Sequence, residues 1–196
     1  MFWRRNVKPS NGERAKHMLK RLFGESAARR AATGLYGIAV DQARAPVLYT
    51  DYAVPDTVDG RFDMIALHVF LLMRRLKAGD AKGAEVAQAL YDAMFDDMDR
   101  SLREMGAGDL GVGRRVKSMA QAFSGRLVAY DAGLDGADGE LPAALARNVF
   151  RGGDVPDEAL AALARYVRAQ SAALDTQPIE AVIGGHAAFD GNQTAP

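Results

Sequence analysis

Cysteine is absent from the chain, which removes disulfide scaffolds, thiolate nucleophiles, zinc ribbons and cysteine-held iron–sulfur clusters together. Long hydrophobic runs are missing too. The longest near-continuous apolar stretch, Ile65 to Met73, has nine residues and contains His68, against the roughly 20 that a membrane-spanning helix needs. The phosphate-cradling patterns GxGxxG and GxxxxGK[ST] do not occur, and the glycine pairs at Gly106/Gly108 and Gly111/Gly113 read as turns between helices. Paired Glu-x-x-His motifs, which a di-iron bundle requires, are also lacking. Net charge is zero, with 25 basic and 25 acidic residues.

What is present describes an ordinary folded protein. The 196 residues are 48% hydrophobic and 26% charged, enough to bury a core without a metal or a disulfide. The neutral balance conceals a gradient. Residues 1–30 carry nine basic and two acidic side chains, whereas residues 131–196 carry four basic and ten acidic ones. A basic end suggests an anionic partner there: lipid headgroups, RNA or an acidic protein surface. Ser10-Asn11-Gly12-Glu13 reads as a capping box opening a short helix, with Met18, Leu19, Leu22 and Phe23 on one side. Its cations Arg14, Lys16, Lys20 and Arg21, together with Phe2, Trp3, Arg4 and Arg5 ahead of it, form a candidate membrane- or ribosome-contacting element.

The rest of the chain is read as helical. A helix is predicted from about Glu25 to Ala43, stopped by Pro46. The segment Pro46 to Arg61 then shows no helical period and contains Pro55, Asp56, Asp59 and Gly60 as turn residues. It is expected to be a long irregular loop, and such loops inside a domain are more often functional than filler. From Phe62 the apolar spacing resumes, with Asp59 as the expected cap. Apolar residues on all sides make this the predicted central buried helix. Further helices are predicted over about Ala81–Met105, Val112–Ala132 (capped by Asp109), Glu140–Phe150 and Pro156–Leu174 (capped by Asp154), with a short piece near Ile179–Ile183. Asp96–Arg100 and Asp99–Arg103 are expected as ion pairs along a wet face. The fold class is all-α: a helical domain over 25–184 behind a basic segment, 1–24, and ahead of a flexible tail, 185–196.

Two features offer chemistry. His68 sits alone on an apolar helix, where a hydrogen-bonded core histidine is the common outcome and a ligand for haem or quinone the sharper one. The stretch holding Tyr49, Asp56, Thr57, Asp59, Arg61 and Asp63 gathers residue types frequent in binding hot spots. A second polar corner, with Asp99, Arg103, Glu104 and Asp109, follows at a helix–helix turn. Arg61 or Arg103 beside those acids could also form bidentate pairs that merely lock the loop.

At these residues the sequence resembles the ubiquinol–cytochrome c chaperone family. The resemblance runs from about Leu35 to Phe150, through VPDTVDGRFD, LREMG at Leu102–Gly106, and the later Lys117 and Gly125-Arg126. It implies an assembly factor for respiratory complex III that binds newly made cytochrome b, with no catalytic residue and no cofactor of its own. The implied partners are cytochrome b, and also a small co-chaperone or the ribosome, but not DNA. Under this reading Tyr49, Asp56, Thr57, Asp59, Arg61, Asp63, His68, Asp99, Arg103, Glu104, Asp109, Lys117 and Arg126 form one partner-binding surface. With the basic end starting almost at once, the expectation is a bacterial cytoplasmic protein lying peripherally on the inner membrane. The competing classes are a helical haem- or quinone-handling protein and a ribosome- or RNA-binding module whose affinity falls steeply with salt.

Overall fold

In the computed structural model, the described residues are 26–104, 106, 109–137 and 139–191. Every regular element among them is helical, as the 3.6-residue spacing predicts. The basic helix predicted before Gly24, with Phe2, Trp3, Arg4, Arg5, Arg14, Lys16, Lys20 and Arg21, lies outside the described residues, as does Met105.

The first helix, α1 (Ala27–Ala43), is capped by Ser26, whose hydroxyl accepts from the amide of Arg29. The loop expected to be structureless contains a short helix, α2 (Val47–Thr50). Leu48, Tyr52 and Val54 are buried and anchor it. The segment therefore packs as part of the core, for which an apolar residue every few positions is sufficient even without a long helical period.

The central helix, α3 (Val58–Leu76), begins four residues earlier than Phe62. Its cap is Thr57 rather than Asp59: Thr57 has extended backbone angles and its hydroxyl accepts from the Gly60 amide at 3.0 Å. Asp59 sits inside the first turn, where a carboxylate favours the helix dipole. Leu67, Leu71, Leu72 and Phe70 are all buried, each contributing roughly 1.5–3 kcal/mol by leaving water. A side chain at Gly60 would have nowhere to go, since a Cβ there would lie 2.0 Å from the carbonyl oxygen of Pro55. Gly60→Ala is expected to push the 51–57 segment off α3 and to destabilise the fold by about 1–3 kcal/mol. A thermal melt checks this, and an unchanged midpoint would mean that the turn can yield.

A 3-10 turn (Lys77–Gly79) leads into α4 (Asp80–Glu104), which buries Val86, Leu90, Met94, Met98 and Leu102 as its period predicts. On its outer face Asp99 and Arg103 pair at 2.6 Å, but Asp96 meets Arg29 of α1 and Arg100 meets Asp97 instead of one another. Helix α5 (Asp109–Asp135) starts at Asp109 itself, so this residue opens the helix rather than capping one that begins at Val112. Helices α6 (Glu140–Asn148), α7 (Asp157–Asp175) and α8 (Ile179–Ile183) follow. Pro156, with no side-chain cap, precedes α7 in place of the expected Asp154, because the chain is still extended at the proline.

Helix α3 packs against α1, α4 and α7, while α5 bridges α4 and α6. Arg74 near the end of α3 pairs with Asp131 and Asp135 of α5, and Lys77 joins it on Asp131. This clamp fixes one end of α5 to α3. Nearer their other ends the two helices are separated by an open space.

Candidate partner-binding groove

The open space is a groove of about 790 Å³ walled by the start of α3, the end of α4, the middle of α5 and the end of α6. Its floor is apolar: Val58, Phe62 and Ile65 from α3, Met98 and Leu102 from α4, and Met119 and Ala122 from α5. Val58 is 68% exposed, an unusual position for a large aliphatic side chain with a core close by. The polar part of the lining is cationic, with Arg61, Arg115, Arg126, Arg147 and Arg151 against the acids Asp59 and Glu104.

The arginines divide by their partners. Arg126 of α5 reaches Asp63 of α3 at 2.7 Å, with its guanidinium over the Phe62 ring. Asp63 is 1% exposed. Burial pushes its carboxyl above the ordinary carboxylate range, with Arg126 and then Arg151 pulling against that shift. Arg151 contacts Asp59 at 3.0 Å and Asp63 at 3.2 Å. It does so from a left-handed backbone conformation (φ 55°), which costs a non-glycine residue about 1 kcal/mol or more and is held by surrounding contacts. Arg61 pairs with Asp56 through two bonds, of 2.6 and 3.1 Å, and lies over the Tyr49 ring. Arg115 and Arg147 have no hydrogen-bond or ion-pair partner among the described residues.

Several residues singled out from the sequence meet here. Asp59, Arg61, Glu104 and Arg126 line the groove, Asp63 lies beneath it, and Tyr49, Asp56 and Thr57 hold the turn that presents Arg61. The hydroxyl of Tyr49 donates to the carbonyl of Ala43 at 2.6 Å, tying that turn back to α1. Others lie elsewhere. The Asp99–Arg103 pair is on the exposed face of α4 and Lys117 is exposed on α5, and none of the three is among the lining residues. Of Asp109 only its place at the head of α5 is described.

His68 does not line this groove. It is fully buried, its Nδ1 donates to the Met64 carbonyl at 2.8 Å, and its Nε2 accepts from the Tyr166 hydroxyl at 2.7 Å. Tyr166 in turn accepts from the Gln42 side-chain amide at 2.9 Å. Both ring nitrogens are thus occupied, so the geometry offers no imidazole lone pair to haem. It also places His68 apart from the groove residues. Phe62, Met98, Met119, Arg115, Arg147 and Arg151 were missed as groove residues. The apolar ones follow helical stripes that look like core, and nothing local distinguishes the three arginines from solvated ones.

These features define an all-helical module with an open groove lined by apolar and cationic side chains. The chain belongs to the ubiquinol–cytochrome C chaperone family, whose model matches residues 50–189. It is 28% identical over 186 residues to ubiquinol-cytochrome c reductase complex assembly factor 1 of Drosophila melanogaster, covering 88% of this chain and 72% of that protein. It is 31% identical over 130 residues to the mitochondrial protein CBP3 of Saccharomyces cerevisiae, covering 64% of this chain and 39% of that one. The crystal structure of the Cbp3 homolog from Brucella abortus superposes with a TM-score of 0.77 at 33% identity, over 93% of this chain and 99% of the other. The resemblance drawn from VPDTVDGRFD and LREMG is therefore borne out, and with it the all-α class.

Proposed function

We propose that this protein is an assembly chaperone for the ubiquinol–cytochrome c reductase complex, and that it holds newly synthesised cytochrome b in the groove between α3, α4 and α5. The observation that carries this reading is the pairing of an apolar lining, with Val58 68% exposed, and two arginines, Arg115 and Arg147, without a partner among the described residues. An unassembled membrane subunit presents apolar helix surface and polar groups that have lost their mates. The floor can cover the first, and Arg115 and Arg147 can satisfy carboxylates or carbonyls among the second. No reacting group is needed for that work, so the role is binding without catalysis. No helix among the described residues is long and apolar enough to cross a membrane, so contact with the bilayer would be peripheral. The basic residues of the N-terminal segment are suited to it, each contributing about 1 kcal/mol near an anionic surface. A co-chaperone or ribosome partner fits the same segment.

The test is capture of a tagged copy from gently solubilised membranes, with the co-purifying proteins quantified. Cytochrome b should be enriched over the mature complex's other subunits. Arg115→Glu combined with Arg147→Glu should reduce that enrichment by roughly tenfold or more, the size of a lost binding hot spot, with the melting temperature unchanged. Capture of cytochrome b by the double variant at the wild-type level would place the client elsewhere. Capture of soluble enzymes alone would retire the reading.

A further inference from the structure

Residues 185–191, expected to trail as a flexible tail, lie docked against the domain. The side-chain amide of Gln177 donates to the carbonyl of Ala188 at 2.7 Å, and its oxygen accepts from the Ala188 amide at 2.9 Å. Gln170, two helical turns earlier on α7, repeats the pattern on Asp190, at 3.2 and 2.7 Å. Both polar groups of residue i and both of residue i+2 are thus held from one side, which is how a strand edge holds an extended chain. Between them Phe189 sets its ring edge-to-face on His68 at 5.0 Å. Gly185 (φ 92°) lies so close to α1 that a Cβ there would be 2.7 Å from the Cα of Ala31.

Of the receiving groups, Gln177 and His68 are held by bonds outside this segment, and Gln170 by the segment itself. Gln170 is 1% exposed, so its carboxamide is a buried polar group, and among the described residues its hydrogen bonds go to the main chain of this segment, a strap across α7. Gln177 is aimed by a second bond to the Ala173 carbonyl, and Arg75 of α3 holds the carbonyls of Leu174 and Gln177. His68 is fixed from behind by Met64 and Tyr166. Main-chain bonds from side-chain amides read an extended backbone without reading its sequence, and the His68 face adds a preference for an aromatic residue at the middle position.

We infer that Gln170, Gln177 and His68 form a binding site for an extended peptide with a central aromatic residue, filled in this structure by the chain's own 185–190 segment. The segment acts as an intramolecular ligand, held at the high effective concentration that a short tether provides. A partner segment of the same pattern takes the site by displacing it. None of these residues lines the groove between α3, α4 and α5, so the inference stands apart from the client reading.

The experiment uses the full-length chain and a fluorescein-labelled peptide of sequence GGHAAFDG, residues 184–191. Phe189→Ala weakens the internal occupant while leaving the site intact, and Gly185→Val ejects it by collision with α1. Amide exchange at Ala188 and Asp190 reports release of the strap. Fluorescence anisotropy should show at least tenfold tighter peptide binding to the released variants than to the wild type, and loss of that gain when Gln177→Leu is added. Equal binding to all forms, or none to a variant whose strap amides exchange freely, would overturn the site. Strap amides that stay protected in both variants would overturn it as well, because the segment would then be core rather than ligand.

Discussion

Arg126→Ala is expected to cost about 3–5 kcal/mol of folding stability, far more than the loss of a surface cation. The ion pair it removes leaves the Asp63 carboxylate, 1% exposed, with only the half-exposed Arg151 at 3.2 Å. Desolvation of that carboxylate is then no longer matched by the guanidinium 2.7 Å away. The pair itself need not be a net stabiliser, since taking two charges out of water offsets most of their attraction. Replacing both partners with apolar residues of similar volume, Asp63→Leu with Arg126→Met, is therefore expected to restore most of the stability that Arg126→Ala loses. Urea unfolding of the wild type, the single variant and the double variant checks both parts. A single variant within about 1 kcal/mol of the wild type, the range of exposed pairs, would show that water reaches the pair. The result also bears on function, because Arg126 lines the groove. Client loss in Arg126→Ala would follow from misfolding, whereas Arg115 and Arg147 can be changed without disturbing a partner among the described residues.

The second large effect is an acid-side loss of stability carried by His68. Burial lowers its pKa from 6.5 to about 4, with the Met64 carbonyl opposing that shift. Above pH 6.5 the imidazole is neutral in both the folded and the unfolded chain and contributes nothing to the pH dependence. Between pH 6.5 and 4 the unfolded chain binds a proton that the folded chain refuses, so stability falls as pH falls. The full drop across that window is about 3 kcal/mol. His68→Gln removes the titration whatever its absolute stability. The difference between wild type and variant, followed by denaturant unfolding from pH 7.5 to 4, isolates this one group from the carboxylates that titrate on the acid side. A difference that stays constant through the window would mean that His68 is protonated inside the fold.

Much of the helical layout was legible because its signals are local. Apolar residues on every side of Phe62–Leu76 marked α3 as the central helix. Leu90, Met94 and Met98 recur at helical spacing and are buried where expected. Ser26 and Thr57 show how narrow the uncertainty at helix ends is: Thr57, not Asp59, caps α3, because the cap must be extended and one residue outside the helix. The short helix Val47–Thr50 was missed because a single turn leaves no period to count. Its order comes from Leu48, Tyr52 and Val54 reaching the core, contacts that no local spacing announces.

The site was less legible than the fold. Asp59, Arg61 and Glu104 stood out by residue type and Arg126 through the family resemblance, but the same reading took in His68, which lies under Phe189 away from the groove, and Asp99 and Arg103, whose expected pairing leaves them on an open face. Gln170 looked like an ordinary polar helix position, Gln177 fell just past the helix predicted to end at Leu174, and the segment they hold looked like a tail.

The sequence by itself determined the all-helical class, the central place of α3 and the family, because periodicity, turn chemistry and motif order are carried by neighbouring residues. The tertiary structure alone decided that stripes from three helices part to leave a groove, and that Asp63 takes Arg126 from a distant helix. It decided as well that the last described residues fold back onto α7. Each of these depends on where helices stand relative to one another, a sum of many non-local contacts that no single stretch of chain encodes.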